Sequence, residues 1–522
     1  MNGCNYGGKQ MKLASIFTDY MVLQAEKPVK IFGIGKGKVK ISFLGEIFEK
    51  NSSEDEWCIT LPKYSYGGPY EMKINLNNEE IILKDIYVGE VWIAGGQSNM
   101  EMVLLRTEYG IQESEKAFNN KIRFFTVPRR YEKNTISYNW NSVKTYGEDT
   151  PWKICNEESS LCFSAIGYYA AKMLQEKLGV AVGVISCNWG GTPIETYIKR
   201  EYFENCDALV PKLEEYKKML SELEPDDYKI RFNKSLEEWE EYYNLIGNEY
   251  EIIKEKGVRA CTGEPTDKPF PQITFGPYNQ SMPGALYDSM FSRIIPYAIK
   301  GFLWYQGETN GSDNDYLEKY LVFMKCMRDS FQNPDMPFYA IELASFSNFI
   351  DGAHQDGDNR FVTENNWAFL REQQQKATEV DANNYLVTSM ELGDAYDVHP
   401  IQKRELSKRL VNKILKYTYA FDLYADQPIF KKAEFKDGKV YISFNNADGL
   451  YCRWLAGVKM YVADDSHILK RANVEIKDDV IVLSCKEVEK PVLARYGFDF
   501  CYSGCHIYNK AGLPIAPFRT DK

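Results

Sequence analysis

Residues 11 to about 86 alternate between apolar and polar positions in short runs. "VKIFGIG", "KVKISFLG" and "YEMKINL" are separated by glycine, asparagine and charged residues, with no spacing of a long amphipathic helix. A period of two predicts half-buried strands, so 11–86 is expected to be an N-terminal β-sandwich-like module. From 87 to about 425 the pattern changes to fully apolar runs, "VGEVWIAGG", "IRFFTV", "VAVGVIS", "IKGFLWY", "PFYAIELA" and "YLVTSME". Several are separated by helix-period stretches such as "FSAIGYYAAKMLQEKLG" and "YLEKYLVFMKCMRDSFQ". Buried strands alternating with helices predict an α/β domain whose mostly parallel sheet is covered on both faces. A charged, aromatic segment of helical period interrupts it at about 200–285, either a helical insertion packed on the surface or an arm over a site. From 427 to 522 "KVYISF", "VKMYVAD" and "VIVLSC", with a turn at Asp437-Gly438, predict a C-terminal β module.

Length and charge narrow the classes. At 522 residues the chain has room for roughly three domains. The net charge of −11 argues against nucleic acid or an anionic membrane surface as a partner. No run approaches the roughly 18–20 apolar residues of a membrane span, and the first residues lack the apolar core of a signal peptide. Twelve cysteines show no CxxC pair and no regular framework, Cys501 and Cys505 being the closest, so reduced thiols of a cytoplasmic protein are expected.

In parallel sheets ligands bind beyond the carboxyl ends of the strands. Three predicted strands end there in glycines and polar residues, in Gly95-Gly96-Gln97-Ser98-Asn99, Asn188-Trp189-Gly190-Gly191-Thr192 and Gln306-Gly307-Glu308-Thr309-Asn310. A hydroxyl at such a tip is either a helix cap or a nucleophile. A serine nucleophile needs a base, a group to orient that base, and donors for an oxyanion. The chain has four histidines. His467 and His506 fall in the C-terminal module, His354 lies in a polar loop, and His399 follows the strand "YLVTSME" and precedes an amphipathic helix. Asp394 and Asp397 stand five and two residues before it. Backbone N–H groups of Ser98 and of Gly190 or Gly191 are candidate oxyanion donors, with a side-chain amide from Gln306 or Asn310 as a third. Methionine at position 100 breaks the GxSxG elbow and counts against the lipase-type architecture.

With "GGQSNMEM" (95–102), "NWGGTPIETY" (188–197), "WYQGETN" (304–310) and "DVHP" (397–400), the chain resembles the SGNH, or GDSL-like, hydrolases, and within them the sialate O-acetylesterase branch. "FTDYMVLQAEKPVKIFG" (17–33) and "GLPIAPFRTD" (512–521) extend the likeness over nearly the whole chain. The resemblance implies a flavodoxin-like α/β/α domain with β modules at both ends. It also implies hydrolysis of O-acetyl esters on sugars, with Ser98 as nucleophile, His399 as base, and backbone groups at Ser98 and Gly191 or Gly190 in the oxyanion hole. The superfamily usually places its aspartate three residues before the histidine, but that position is Tyr396 here. Asp397 is the favoured orienting group, with Asp394 or a backbone carbonyl as alternatives. Glu308, Asp394 and Asp397 raise a metal site, which ester hydrolysis by serine does not require, so no metal or other cofactor is expected. The expected partner is a small acetylated sugar or oligosaccharide, and a homodimer is compatible with the sequence. Two other readings are an acetylesterase for plant oligosaccharides such as acetyl-xylan or acetyl-mannan fragments, and an inactive carbohydrate-binding protein.

Overall fold

A computed structural model describes residues 12–54, 56–77, 79–129, 151–246, 271–346, 366–499, 501–502 and 504–521. The chain is mixed α/β and divides into two compact units. One takes residues up to Leu303 together with Leu321–Pro337, and the other takes Trp304–Tyr320 and Phe338–Lys522.

In the first unit, the alternating residues near the start form two antiparallel groups of strands. Lys12–Leu13, Pro28–Ile34 and Glu56–Lys63 make one sheet. Gly37–Phe43 lies between Glu46–Ser52 and Gly67–Leu76 in another. Val39, Ile41 and Phe43 are buried on one strand, and Met72, Ile74 and Leu76 on its neighbour, so the period-two pattern becomes one apolar face.

The strand Glu79–Gly96 carries the chain into the parallel sheet. Its first half pairs antiparallel with Gly67–Leu76 and reads as alternating exposure. Its second half pairs parallel with Val182–Asn188, Glu90 opposite Val182 and Gly96 opposite Asn188, and every residue there is buried. One strand therefore runs through residues 86 and 87, where the sequence pattern marks a domain border. The change of pattern records a change from one covered face to two. Asn119–Thr126 extends the sheet parallel to Val182–Asn188. On the other side of Glu79–Gly96 comes the strand that opens at Gly301, with the Lys300 N–H on the Val91 carbonyl at 2.7 Å. The chain thus leaves Glu79–Gly96 towards one side and later returns on the other, a reversal of strand order at this strand.

The helix Ala165–Leu178 precedes Val182–Asn188. Ser164 Oγ caps it by accepting the Gly167 N–H at 3.2 Å, and Gly179 ends it in the left-handed region at φ 73°. The interruption after residue 200 contains the helices Val210–Glu222 and Pro225–Ile246. Tyr228, Phe232 and Leu236 recur at helical spacing and are buried, with the Tyr228 and Phe232 rings against Tyr278 at 5.3 and 5.2 Å. Among the described residues, no helix is long and apolar enough to cross a membrane.

In the second unit, Phe338–Ile341 and Asn384–Val387 pair in parallel, with helices Asn366–Val380 and Lys403–Tyr417. Leu406, Leu410, Val411 and Ile414 give the latter its buried stripe. Beyond it, Ile429–Lys436, Lys439–Asn445, Val480–Ser484 and Asn473–Lys477 form one antiparallel sheet. A second is built from Lys470–Arg471, Met460–Ala463, Leu493–Tyr496 and Phe518–Arg519. Val440, Ile442 and Leu483 of the first sheet share one buried cluster with Met460, Val462 and Tyr496 of the second. Asp437 and Gly438, at φ 52° and 70°, make the hairpin turn between the first two strands.

Candidate active site

The sequence candidates fall into three local groups. Ser98, Gly190 and Gly191 belong to the first unit, while Gln306 with Asn310 and Asp397 with His399 belong to the second. His354 lies outside the described residues.

Ser98 follows the carboxyl end of Glu79–Gly96. Gly96 turns at φ 135°, Gln97 stays extended, and Ser98–Glu101 forms a single helical turn. Asn99 and Met100 are buried beneath it, and Ser98 itself is partly exposed. The parallel neighbour Val182–Asn188 ends at the same level. The Trp189 N–H donates to the Gly96 carbonyl at 3.0 Å, and the Tyr197 hydroxyl donates to the same oxygen at 2.6 Å. Thr192 Oγ1 lies 2.7 Å from that hydroxyl and donates to the Trp189 carbonyl at 2.7 Å. Full burial pushes the Tyr197 phenol far above its ordinary range, so it remains a neutral donor. These bonds clamp the two glycine turns together. Gly190 then packs on the serine, a Cβ at that position meeting Ser98 Cβ at 3.2 Å.

The two glycines are not equivalent. The Gly190 N–H donates to Glu101 Oε2 at 2.6 Å. Gly191 sits at φ 68° with no atom within 4 Å of where a Cβ would stand. The other oxygen of Glu101 is 2.7 Å from Arg129 Nη2. Arg129 Nε donates to the Asn188 carbonyl at 3.3 Å, and the guanidinium lies over the Trp189 ring at 5.8 Å.

In the second unit, Gln306 is fully buried. Its amide donates to Asn310 Oδ1 at 2.7 Å and accepts from the Tyr316 hydroxyl at 2.9 Å. Gln374 Nε2 donates to its carbonyl at 3.2 Å, and Asn310 Nδ2 donates to Asp313 Oδ2 at 2.9 Å. Gln306 thus supports Asn310 from below.

The loop bearing the histidine begins after Thr388-Ser389, which are held by buried Glu342: Thr388 Oγ1 donates to Glu342 Oε2 at 2.6 Å. At Gly393 the loop passes the backbone of Ser345 so closely that a Cβ would lie 2.2 Å from the Ser345 carbonyl oxygen. Asp397 Oδ1 accepts the His399 N–H at 2.8 Å and lies 3.7 Å from His399 Nδ1. That second distance is an approach and not a hydrogen bond. Asp394 Oδ1 instead accepts the amides of Tyr396 at 2.8 Å and Asp397 at 3.3 Å, and so shapes the loop. Among the described residues, no group of three or more His, Cys, Asp or Glu is arranged to hold a metal ion.

Residues 274–416 match the carbohydrate esterase family of sialic acid-specific acetylesterases, a span that includes Gln306, Asn310, Asp397 and His399. A sialate O-acetylesterase from Rattus norvegicus is 23% identical over 59% of this chain and 54% of its own length. The Homo sapiens sialate O-acetylesterase is 22% identical over 77% of this chain and 70% of its own length. Over these spans the chain is similar to sialate O-acetylesterases. Its match spans about half the length of the rat relative. A solved carbohydrate acetylesterase from Xanthomonas citri shares the fold, with a TM-score of 0.74 over 98% of this chain and 100% of that one at 24% identity.

The sequence reading missed Glu101, Arg129 and Tyr197. Glu101 stands inside the quoted "GGQSNMEM" block and Tyr197 ends "NWGGTPIETY", so both were in view as letters. Only pairing of the two strand ends reveals that they hold the glycine turns.

Proposed function

We propose that this chain is a carbohydrate O-acetylesterase of the SGNH type, most closely a sialate O-acetylesterase, with Ser98 as nucleophile. The observation that carries the reading is the seating of Ser98. It opens a helical turn at the carboxyl end of a central parallel strand, and the Gly190-Gly191 turn of the neighbouring strand rests against it.

In this reading His399 takes the Ser98 proton as Oγ attacks the acetyl carbonyl. The carbonyl π electrons move to oxygen, and the resulting oxyanion is held by the N–H groups of Ser98 and Gly191 and by the Asn310 amide. Gly191 is preferred over Gly190 because the Gly190 N–H is engaged by Glu101. The amide is assigned to Asn310, whose Oδ1 is held from beneath by the Gln306 amide. Collapse of the adduct expels the sugar alkoxide, which takes the proton from His399. Water, deprotonated by His399, then attacks the acetyl-serine; the bond to Ser98 Oγ breaks, Oγ takes the proton back from His399, and acetate is released. Asp397 orients the imidazole, supported by its position beside both His399 nitrogens named above. No step calls for a metal.

The fold proposed for this chemistry is a flavodoxin-like α/β/α domain over 87–425 with β-sandwich-like modules at 11–86 and 427–522. It is supported by the parallel strands around Glu79–Gly96 and by the shared core of the last two sheets. We place the enzyme in the cytoplasm, a reading that rests on its unpatterned cysteines, and take a small acetylated sugar as its substrate.

The test is acetate release from 9-O-acetylated sialic acid and from acetylated xylo-oligosaccharides in parallel, with Ser98→Ala as blank. Release from the sialic acid by the wild type alone is expected. Preference for the xylo-oligosaccharide would keep the mechanism and change the substrate. Wild-type turnover by Ser98→Ala would sink the mechanism.

A further inference from the structure

We propose that Glu101 is a positioning residue for the oxyanion turn and that Arg129 cancels its charge beside the nucleophile; this rests on the reading of Ser98 above. Glu101 stands three residues after Ser98 in the same helical turn, and residues so spaced share a helix face. Its carboxylate therefore rises beside the serine. One oxygen receives the Gly190 N–H at 2.6 Å, and the other meets Arg129 Nη2 at 2.7 Å. Arg129 in turn holds the Asn188 carbonyl at 3.3 Å and lies over Trp189. Two side chains thus grip three successive residues, 188 to 190, immediately before Gly191.

Hydrogen bonds from a backbone N–H to a carboxylate are shorter and stronger than those to a neutral acceptor. This one fixes the peptide plane at Gly190, from which the chain turns through the left-handed Gly191. A Cβ on Gly190 would meet both Ser98 Cβ and Glu101 Oε2 at 3.2 Å, so nucleophile, brace and glycine are in mutual contact. The brace has an electrostatic cost. A full negative charge close to a serine that must pass through an anionic adduct opposes the reaction. Arg129 removes that opposition. Exposed ion pairs add little stability, and both side chains here are about 30% exposed. The pair therefore acts chiefly on the reaction, and its removal is expected to be read in turnover more than in melting.

The experiment measures kcat, KM and the pH profile on p-nitrophenyl acetate, with melting temperature, for S98A, E101A, E101Q, R129M and the double variant E101Q/R129M. E101A is expected to lower kcat about tenfold or more with KM within about twofold, since small misplacements of a reacting group are costly. E101Q keeps a neutral acceptor for the Gly190 N–H and is expected to return kcat to within about threefold of wild type. R129M leaves the carboxylate uncompensated. It is expected to lower kcat about tenfold and to move the acidic limb of kcat/KM to higher pH, because a nearby negative charge favours the protonated base. The double variant is expected to undo both changes. A wild-type kcat in E101A, or an R129M defect that persists in the double variant, would overturn the proposal. Should E101A unfold, comparison of R129M with the double variant decides. Turnover by S98A would instead overturn the reading of the nucleophile.

Discussion

Gly190 stands so close to Ser98 that a methyl group on its Cα would lie 3.2 Å from the serine Cβ and 3.2 Å from Glu101 Oε2. Its φ is not in the glycine-only region, so alanine meets a steric obstacle from its neighbours and not from its own backbone. Gly190→Ala is expected to push the turn away from the serine. It should lower kcat about 10- to 100-fold while leaving the melting temperature nearly unchanged. Steady-state kinetics alongside a thermal melt checks this, and an unchanged kcat would show that the contact does not position the turn.

Asp397 and Asp394 should separate cleanly. Asp397 lies beside His399 Nδ1, whereas Asp394 holds loop amides. Asp397→Asn is expected to lower kcat about 10²- to 10⁴-fold through loss of imidazole orientation. Asp394→Asn should cost much less turnover and act mainly on stability. Equal losses in kcat for the two variants would remove the distinction.

Tyr197 joins the two strand ends by a single hydroxyl. Tyr197→Phe keeps the ring contacts with Phe291 and Phe323 and loses the bond to the Gly96 carbonyl. Since Trp189 still serves that carbonyl, the expected loss of stability is about 1–2 kcal/mol. A measurable drop in kcat should accompany it as the two turns loosen. Chemical denaturation and kinetics on one preparation test both parts.

His506, in the C-terminal β region, predicts an acid-sensitive fold. It is enclosed by Tyr496, Tyr502 and Tyr508, and its Nδ1 is 2.9 Å from the Tyr496 hydroxyl. Burial first, and then the charge of Arg409, lowers its pKa from 6.5 to about 4. The folded state therefore binds this proton less readily than the unfolded chain. Its contribution is complete above about pH 6.5 and is lost as the pH falls towards 4, amounting to at most about 3 kcal/mol. Replacing His506 with glutamine should flatten the decline of stability between pH 6.5 and 4. An unaltered slope in denaturation curves across that interval would assign the acid sensitivity to other groups.

Much of the scaffold was legible because burial leaves a period in the sequence. The alternation at Val39, Ile41 and Phe43 and the unbroken apolar run into Gly95-Gly96 each report how many faces of a strand are covered. Asp437-Gly438 announced its hairpin because few residues tolerate two successive positive φ angles. The border at residues 86 and 87 marked a change of environment that the structure carries within one continuous strand, since a local pattern registers burial and not chain continuity. Ser98, the glycine pair, Asp397 and His399 stood out as candidates because chemistry restricts residue types at strand ends.

What the sequence determined alone was therefore the local alphabet of the candidate site: a hydroxyl after two glycines, a glycine pair after a second strand, and an aspartate two residues before a histidine. Tertiary structure decided how one part of that alphabet is used. Gly190 and Gly191 are identical as letters, yet one N–H is taken by Glu101 and the other glycine turns through φ 68°. Glu101, Arg129 and Tyr197 are separated by tens of residues and share no periodicity. They converge only because parallel pairing brings Gly96 opposite Asn188, and hydrogen-bond geometry between distant segments leaves no trace in local sequence.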